Sequence, residues 1–148
     1  MIDSSGASIR KNNTNSIFIQ YSDRSFALFT VSVKMSFRAS HQLALPDGSM
    51  EPPHTHNWSV LAELGSEKLD KMGVVMDFNR LRALIGDILA EFDNSHLGAM
   101  AYFQRKNPSA ENVAACIYQK IEPKLPQAVE LQSVRVAEEP GCWAKFAK

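Results

Sequence analysis

Cysteine is scarce: Cys116 and Cys142 are the only two. Two cannot build a disulfide framework, which agrees with a reducing compartment, and the expected location is the cytoplasm. Each is expected to be an ordinary small side chain rather than a nucleophile. Net charge is also lacking, with 16 basic against 16 acidic side chains. Without a global field of either sign, neither nucleic acid nor an anionic membrane surface is an expected partner. No apolar run approaches the ~20 residues of a membrane span. Residues 1–24 lack the apolar core of a secretion signal. Histidine is rare too, at four residues, and their placement carries most of the information.

What is present is an ordinary globular mixture, 45% apolar and 22% charged, long enough for one domain. Residues 1–24 are rich in Ser and Asn and read as a mobile extension. Within them Ile17 to Tyr21 suit a short edge strand or a docking segment. Residues 25–148 read as the domain. Alternation from Phe29 through Phe37 and Ala39 to His41 predicts a long strand, with a bulge near Lys34 to Ser36. A second strand runs from His54 to about Leu64. Asp77 caps a helix whose apolar stripe (Leu81, Leu84, Ile85, Ile88, Leu89, Phe92) ends near Asp93–Ser95. Gly86 in that helix suggests close packing. Ser109 caps a second helix, Ala110 to about Ile121, before strands at Gln132–Glu138 and Trp143–Phe146. The order ββααββ predicts an α+β domain: a four-stranded antiparallel sheet with both helices on one face. The other face needs cover, and Trp58 points to subunit association.

The chemistry concentrates at Glu51 to Trp58. In a strand of period two, His54 and His56 share a face and can grip one metal ion. Glu51 stands three residues before His54, on a loop stiffened by Pro52 and Pro53, as a possible base. Spacing alone favours the ordinary reading over a metal site: His54 and His56 as loop residues, and His41 as a satisfied core histidine.

Six short patterns then fall in order. They are Phe37-Arg38-Ala39-Ser40-His41, His54-Thr55-His56-Asn57-Trp58, Gly73-Val74-Val75-Met76-Asp77-Phe78, Phe92-Asp93-Asn94, Asn107-Pro108-Ser109-Ala110-Glu111-Asn112, and Glu138 at a strand end. Together they resemble the 6-pyruvoyltetrahydropterin synthase and 6-carboxytetrahydropterin synthase family from about Phe26 to Glu139. The resemblance implies the tunnelling fold, assembly into trimers or hexamers, a Zn2+ cofactor and a small dihydropterin substrate. His41, His54 and His56 become the metal ligands, with a fourth position open, as suits catalytic zinc. Glu138 becomes the pterin anchor, a carboxylate accepting two hydrogen bonds from the ring's guanidine-like edge. Ser109 and Glu111, opening the second helix, line the same edge.

Three positions depart from the family pattern. Met50 occupies the place of a cysteine that many members use. Glu51 instead fits an E-x-x-H variant resembling enzymes that cleave 7,8-dihydroneopterin triphosphate to 6-hydroxymethyl-7,8-dihydropterin, and it becomes the candidate base. Asn94 replaces the histidine of an Asp-His relay and cannot shuttle protons. Asp93 and His96 are the remaining catalytic candidates, with Asp93 orienting His96. Thr55 replaces a glycine and would be strained if that position needs a positive φ. The implied activity is a zinc-dependent pterin lyase. The alternatives are 6-carboxy- or 6-pyruvoyltetrahydropterin synthase chemistry, or a pterin-binding paralogue without turnover.

Overall fold

The computed structural model describes residues 8–11, 17–20 and 28–148. Most of the expected N-terminal extension lies outside them. Its two described pieces, β1 (Ser8–Lys11) and β2 (Ile17–Gln20), pair antiparallel as a separate two-stranded sheet rather than as an added edge. Tyr21 is outside the described residues.

The domain is built on β3 (Phe29–His41) and β4 (His54–Ser66). They pair antiparallel in unbroken register from Phe29↔Ser66 to His41↔His54. The bulge expected at Lys34–Ser36 is therefore absent. The irregularity falls instead between Glu63 and Leu64, where β4 meets β6. Then come helix α1 (Phe78–Leu89), the two-residue strand β5 (Ser95–His96), helix α2 (Ala110–Ile121), β6 (Glu130–Glu139) and β7 (Cys142–Phe146). The main sheet runs β5-β3-β4-β6-β7. It thus has five strands, not four, because β5 adds parallel to β3 through Ala39↔Ser95 and Ser40↔His96. A two-residue strand carries no apolar alternation to reveal it.

Both caps form as expected. Asp77 accepts from the Arg80 amide and Ser109 from the Asn112 amide, filling donors that a helix start leaves orphaned. Helix α1 stops at Leu89, earlier than the apolar stripe suggests. Phe92 is fully buried from the turn that follows. Asn94 ends this turn at φ 56, a left-handed conformation that Asn tolerates. At Gly86 an added methyl would meet the Met35 methyl at 3.6 Å, an ordinary contact, so close packing does not explain that glycine.

One sheet face carries Val33, Phe37, Ala39, Trp58, Val60, Ala62, Val134 and Val136 against Leu81, Ile85, Ile88, Val113, Ile117 and Ile121 of the helices. Trp58 lies in this core with no exposed surface, stacked beside Phe37 and donating Nε1–H to the Ala39 carbonyl. It cannot be the mark of an uncovered face. The opposite face of β3 reads Ser32, Lys34, Ser36 and Arg38, polar and exposed. The apolar argument for subunit association therefore fails.

Candidate metal centre

The His41↔His54 and Ala39↔His56 pairs fix the geometry. Cross-strand alternation puts all three imidazoles on the helix-covered face, at the end where β3 and β4 diverge. Ring centroids lie 4.5 to 5.2 Å apart, and one nitrogen from each ring falls within 4.8 Å of the others. His41 is 1% exposed, while the His54 side chain, at 41%, stands at the rim. Thr55 sits in this ladder opposite Ser40. Among the described residues the only positive φ outside glycine is at Asn94, so the substitution of Thr for Gly introduces no such strain.

Backbone carbonyls set the tautomers. His41 Nδ1 lies 2.8 Å from the Pro108 carbonyl and His54 Nδ1 lies 3.0 Å from the Pro52 carbonyl. Each Nδ1–H therefore donates to backbone, leaving Nε2 as the lone-pair nitrogen. Among the described residues the buried Nε2 atoms of His41 and His56 have no hydrogen-bond partner. Two orphaned imidazole nitrogens converging with a third fit a metal better than a packed core, where such atoms are costly. Burial lowers the His41 pKa from its ordinary value, against the opposing pull of the Pro108 carbonyl and the Glu138 carboxylate. The neutral, ligating form is thereby favoured.

Glu138 Oε2 lies 3.4 Å from His41 Nε2. The same carboxylate lines a cleft of about 260 Å³ with Leu43, Ser109, Ala110, Glu111, Cys142, Trp143 and Ala144. The structure thus brings Ser109, Glu111 and Glu138 together beside the triad. Cys142 and Trp143 are additions that sequence reading missed. They follow the Pro140-Gly141 turn, and only the β6–β7 pairing returns them to the site.

Glu51 also flanks the triad, its Oε1 3.8 Å from His54 Nε2. That oxygen accepts the Leu43 amide at 2.9 Å. Among the described residues Oε2 takes no hydrogen bond, so it is the oxygen available to a proton.

Asp93 and His96 do not form the expected pair. Asp93 Oδ1 accepts the Arg38 amide at 2.8 Å, and Oδ2 accepts from the Asn94 side chain at 3.0 Å. His96 Nδ1 is instead 3.0 Å from Ser40 Oγ. Because His96 pairs with Ser40, strand alternation puts it on the face opposite His41. There it lines a second cavity of about 620 Å³ with Met50, Arg105 and Lys106.

The family model described as 6-pyruvoyl tetrahydropterin synthase matches residues 30–148. The chain belongs to this family. A 6-carboxy-5,6,7,8-tetrahydropterin synthase of Rickettsia conorii is 26% identical over 131 residues, covering 76% of this chain and 95% of that one. A dihydroneopterin monophosphate aldolase of Pyrococcus furiosus is 30% identical over 105 residues, covering 71% and 85%. The solved 6-pyruvoyl tetrahydropterin synthase of Caenorhabditis elegans superposes with a TM-score of 0.73 at 22% identity, covering 83% and 97%. Its likeness concerns the fold. Function in the pterin synthase family, with relatives named as enzymes, follows from the first three matches.

Proposed function

We propose that the chain is a zinc-dependent pterin lyase that cleaves the side chain of 7,8-dihydroneopterin triphosphate to give 6-hydroxymethyl-7,8-dihydropterin. The observation that carries this reading is the triad of free imidazole nitrogens set between two carboxylates, Glu138 on the cleft side and Glu51 on the loop side. His41, His54 and His56 would hold the metal. When bound, zinc would supply Lewis-acid stabilisation of negative charge on a substrate oxygen.

The remaining work belongs to the chain. Glu138 accepts the amino and imino hydrogens of the pterin edge, with Glu111 and Ser109 lining the same cleft. Among the described residues no basic side chain lines that cleft, which suits a ring edge made of donors. Glu51 Oε2 takes a side-chain hydroxyl proton. The neighbouring carbon–carbon bond then breaks in a retro-aldol step: the deprotonated oxygen becomes the carbonyl of the departing two-carbon aldehyde that carries the triphosphate, the bond's electron pair passes to the ring-side carbon, and that carbon recovers a proton. Glu51 is the candidate base because Met50 has no exchangeable proton. The Pyrococcus aldolase, named for a phosphorylated dihydroneopterin, supports cleavage of this bond.

The test is turnover of 7,8-dihydroneopterin triphosphate by the zinc-loaded protein, with products identified by mass spectrometry. The hydroxymethyl product is expected, and absence of every pterin product would sink the lyase reading. The Rickettsia relative favours a second outcome, formation of 6-carboxytetrahydropterin, which the same measurement separates. Asn94 and the displaced His96 favour a third, pterin binding without turnover.

A further inference from the structure

The segment Asn107 to Asn112 does more than open helix α2. The chain from Leu43 to Glu51 is a small hairpin. Its Leu45 amide donates to the Ser49 carbonyl and its Glu51 amide to the Leu43 carbonyl, with Ala44 opposite Met50 between them. In an antiparallel pair, a residue flanked this way directs its own N–H and C=O outward. Ala44 would present a bare edge. The Asn107 side chain fills it, accepting the Ala44 amide at Oδ1 (2.8 Å) and donating from Nδ2 to the Ala44 carbonyl (3.0 Å). The amide thus acts as one residue of a partner strand. Asn107 is itself anchored, since Asn112 Nδ2 donates to its carbonyl at 2.8 Å. The next carbonyl, at Pro108, fixes His41.

We infer that Asn107 is a positioning residue. It clamps the hairpin that carries Glu51 and ties that hairpin to the segment that orients His41. Glu51 hangs from the hairpin by its Leu43 contact, so loosening Ala44 loosens the carboxylate relative to the histidines. The effect on rate rests on the reading of Glu51 as base; the clamp itself does not.

The experiment uses the zinc-loaded full chain as parent, Asn107→Ala and Asn107→Asp. It reads amide hydrogen exchange at Leu43, Ala44 and Glu51, bound zinc per chain, and kcat and KM on 7,8-dihydroneopterin triphosphate. Asn107→Ala should speed exchange at these amides by at least about tenfold while amides of the β3–β4 ladder stay protected. Bound zinc and KM should hold, and kcat should fall on the order of 100-fold, the scale of an ångström-level misplacement. Asn107→Asp keeps the acceptor for the Ala44 amide and loses the donor, so it should fall between the two. If the alanine variant does not fold, the aspartate variant carries the test. Unchanged exchange at the three amides in a folded variant overturns the clamp, as does equal acceleration throughout the ladder. Should Glu51→Gln keep full turnover, the base reading fails while the exchange result still decides the clamp.

Discussion

The three histidines and the acid beside them are held in different ways. The histidines stand on a 13-residue antiparallel ladder with no register shift, and a hydrophobic core backs the same face. Glu51 stands on a short hairpin with a single bridging pair among the described residues, Ala44 with Met50, and with the Asn107 side-chain amide bonded along its edge. One region is positioned by cooperative secondary structure and core packing, the other by a handful of individual hydrogen bonds. In this molecule the proposed metal-binding half of the site is the rigid part and the proposed proton-handling half the adjustable one.

The largest effect should come from attacking the ladder. His41→Ala removes a proposed ligand that is also buried and bonded to Pro108. It should abolish zinc binding at micromolar metal, lower turnover by at least about 10³-fold, and erase the rise in melting temperature expected when zinc is added to the parent. His54→Ala, at the rim, should lose zinc as well but leave the apo protein within about 0.5 kcal/mol of the parent. Metal analysis and thermal melts with and without zinc decide both. Equal apo destabilisation by the two would contradict the graded burial of the triad.

Glu51→Gln is the next largest. Turnover should fall about 10²- to 10⁴-fold, the range for a general base, with bound zinc unchanged. Loss of zinc together with activity would make Glu51 a ligand rather than a base. The pair across the sheet sharpens the same contrast. Asp93→Ala deletes an acceptor for a backbone amide and should cost about 1 kcal/mol in denaturant unfolding. His96→Ala should change kcat less than about threefold, because its ring faces away from the triad. A 100-fold loss for His96→Ala would restore the relay that the single chain does not form.

The rigid half was the more legible in the sequence. Alternation at Phe37, Ala39 and His41 and the two-residue spacing of His54 and His56 determine which face each side chain takes, and strand pairing does the rest. Asp77 and Ser109 announced their helices through local chemistry that needs no tertiary context. Strand β5 escaped because two residues show no period, and it moved His96 to the wrong face for a relay. Trp58 carries no signal of what covers it, because a large aromatic on a strand looks the same in sequence under a helix as at an interface. The clamp of Asn107 on Ala44 spans 63 residues, and nothing local to either residue signals it. Cys142 and Trp143 reached the cleft through a β6–β7 pairing that breaks register between Val136 and Glu139, which no periodicity conveys.

The remaining contrast concerns the two thiols, and it separates core from cleft without altering the fold. Cys116 lies on the buried face of α2, and burial pushes its pKa up to about 11. At pH 8 its thiolate fraction is on the order of 10⁻³, and access is blocked as well. Cys142 is exposed and lines the cleft with Glu138. Iodoacetamide at pH 8 should therefore modify one thiol per native chain, at Cys142, and the second only on unfolding. Since the Cys116 pKa is raised in the folded state, its stabilising contribution is complete below the unfolded value of ~9 and is lost as pH rises from there toward 11. The full difference is roughly 2–3 kcal/mol. Denaturant midpoints measured from pH 8 to pH 11 should fall, and Cys116→Ser should flatten that fall. If the pterin ring occupies the cleft as proposed, a saturating dihydropterin should slow Cys142 alkylation several-fold and leave the Cys116 result unchanged. Unaltered Cys142 labelling would move the ring away from Glu138 while leaving the histidine ladder untouched.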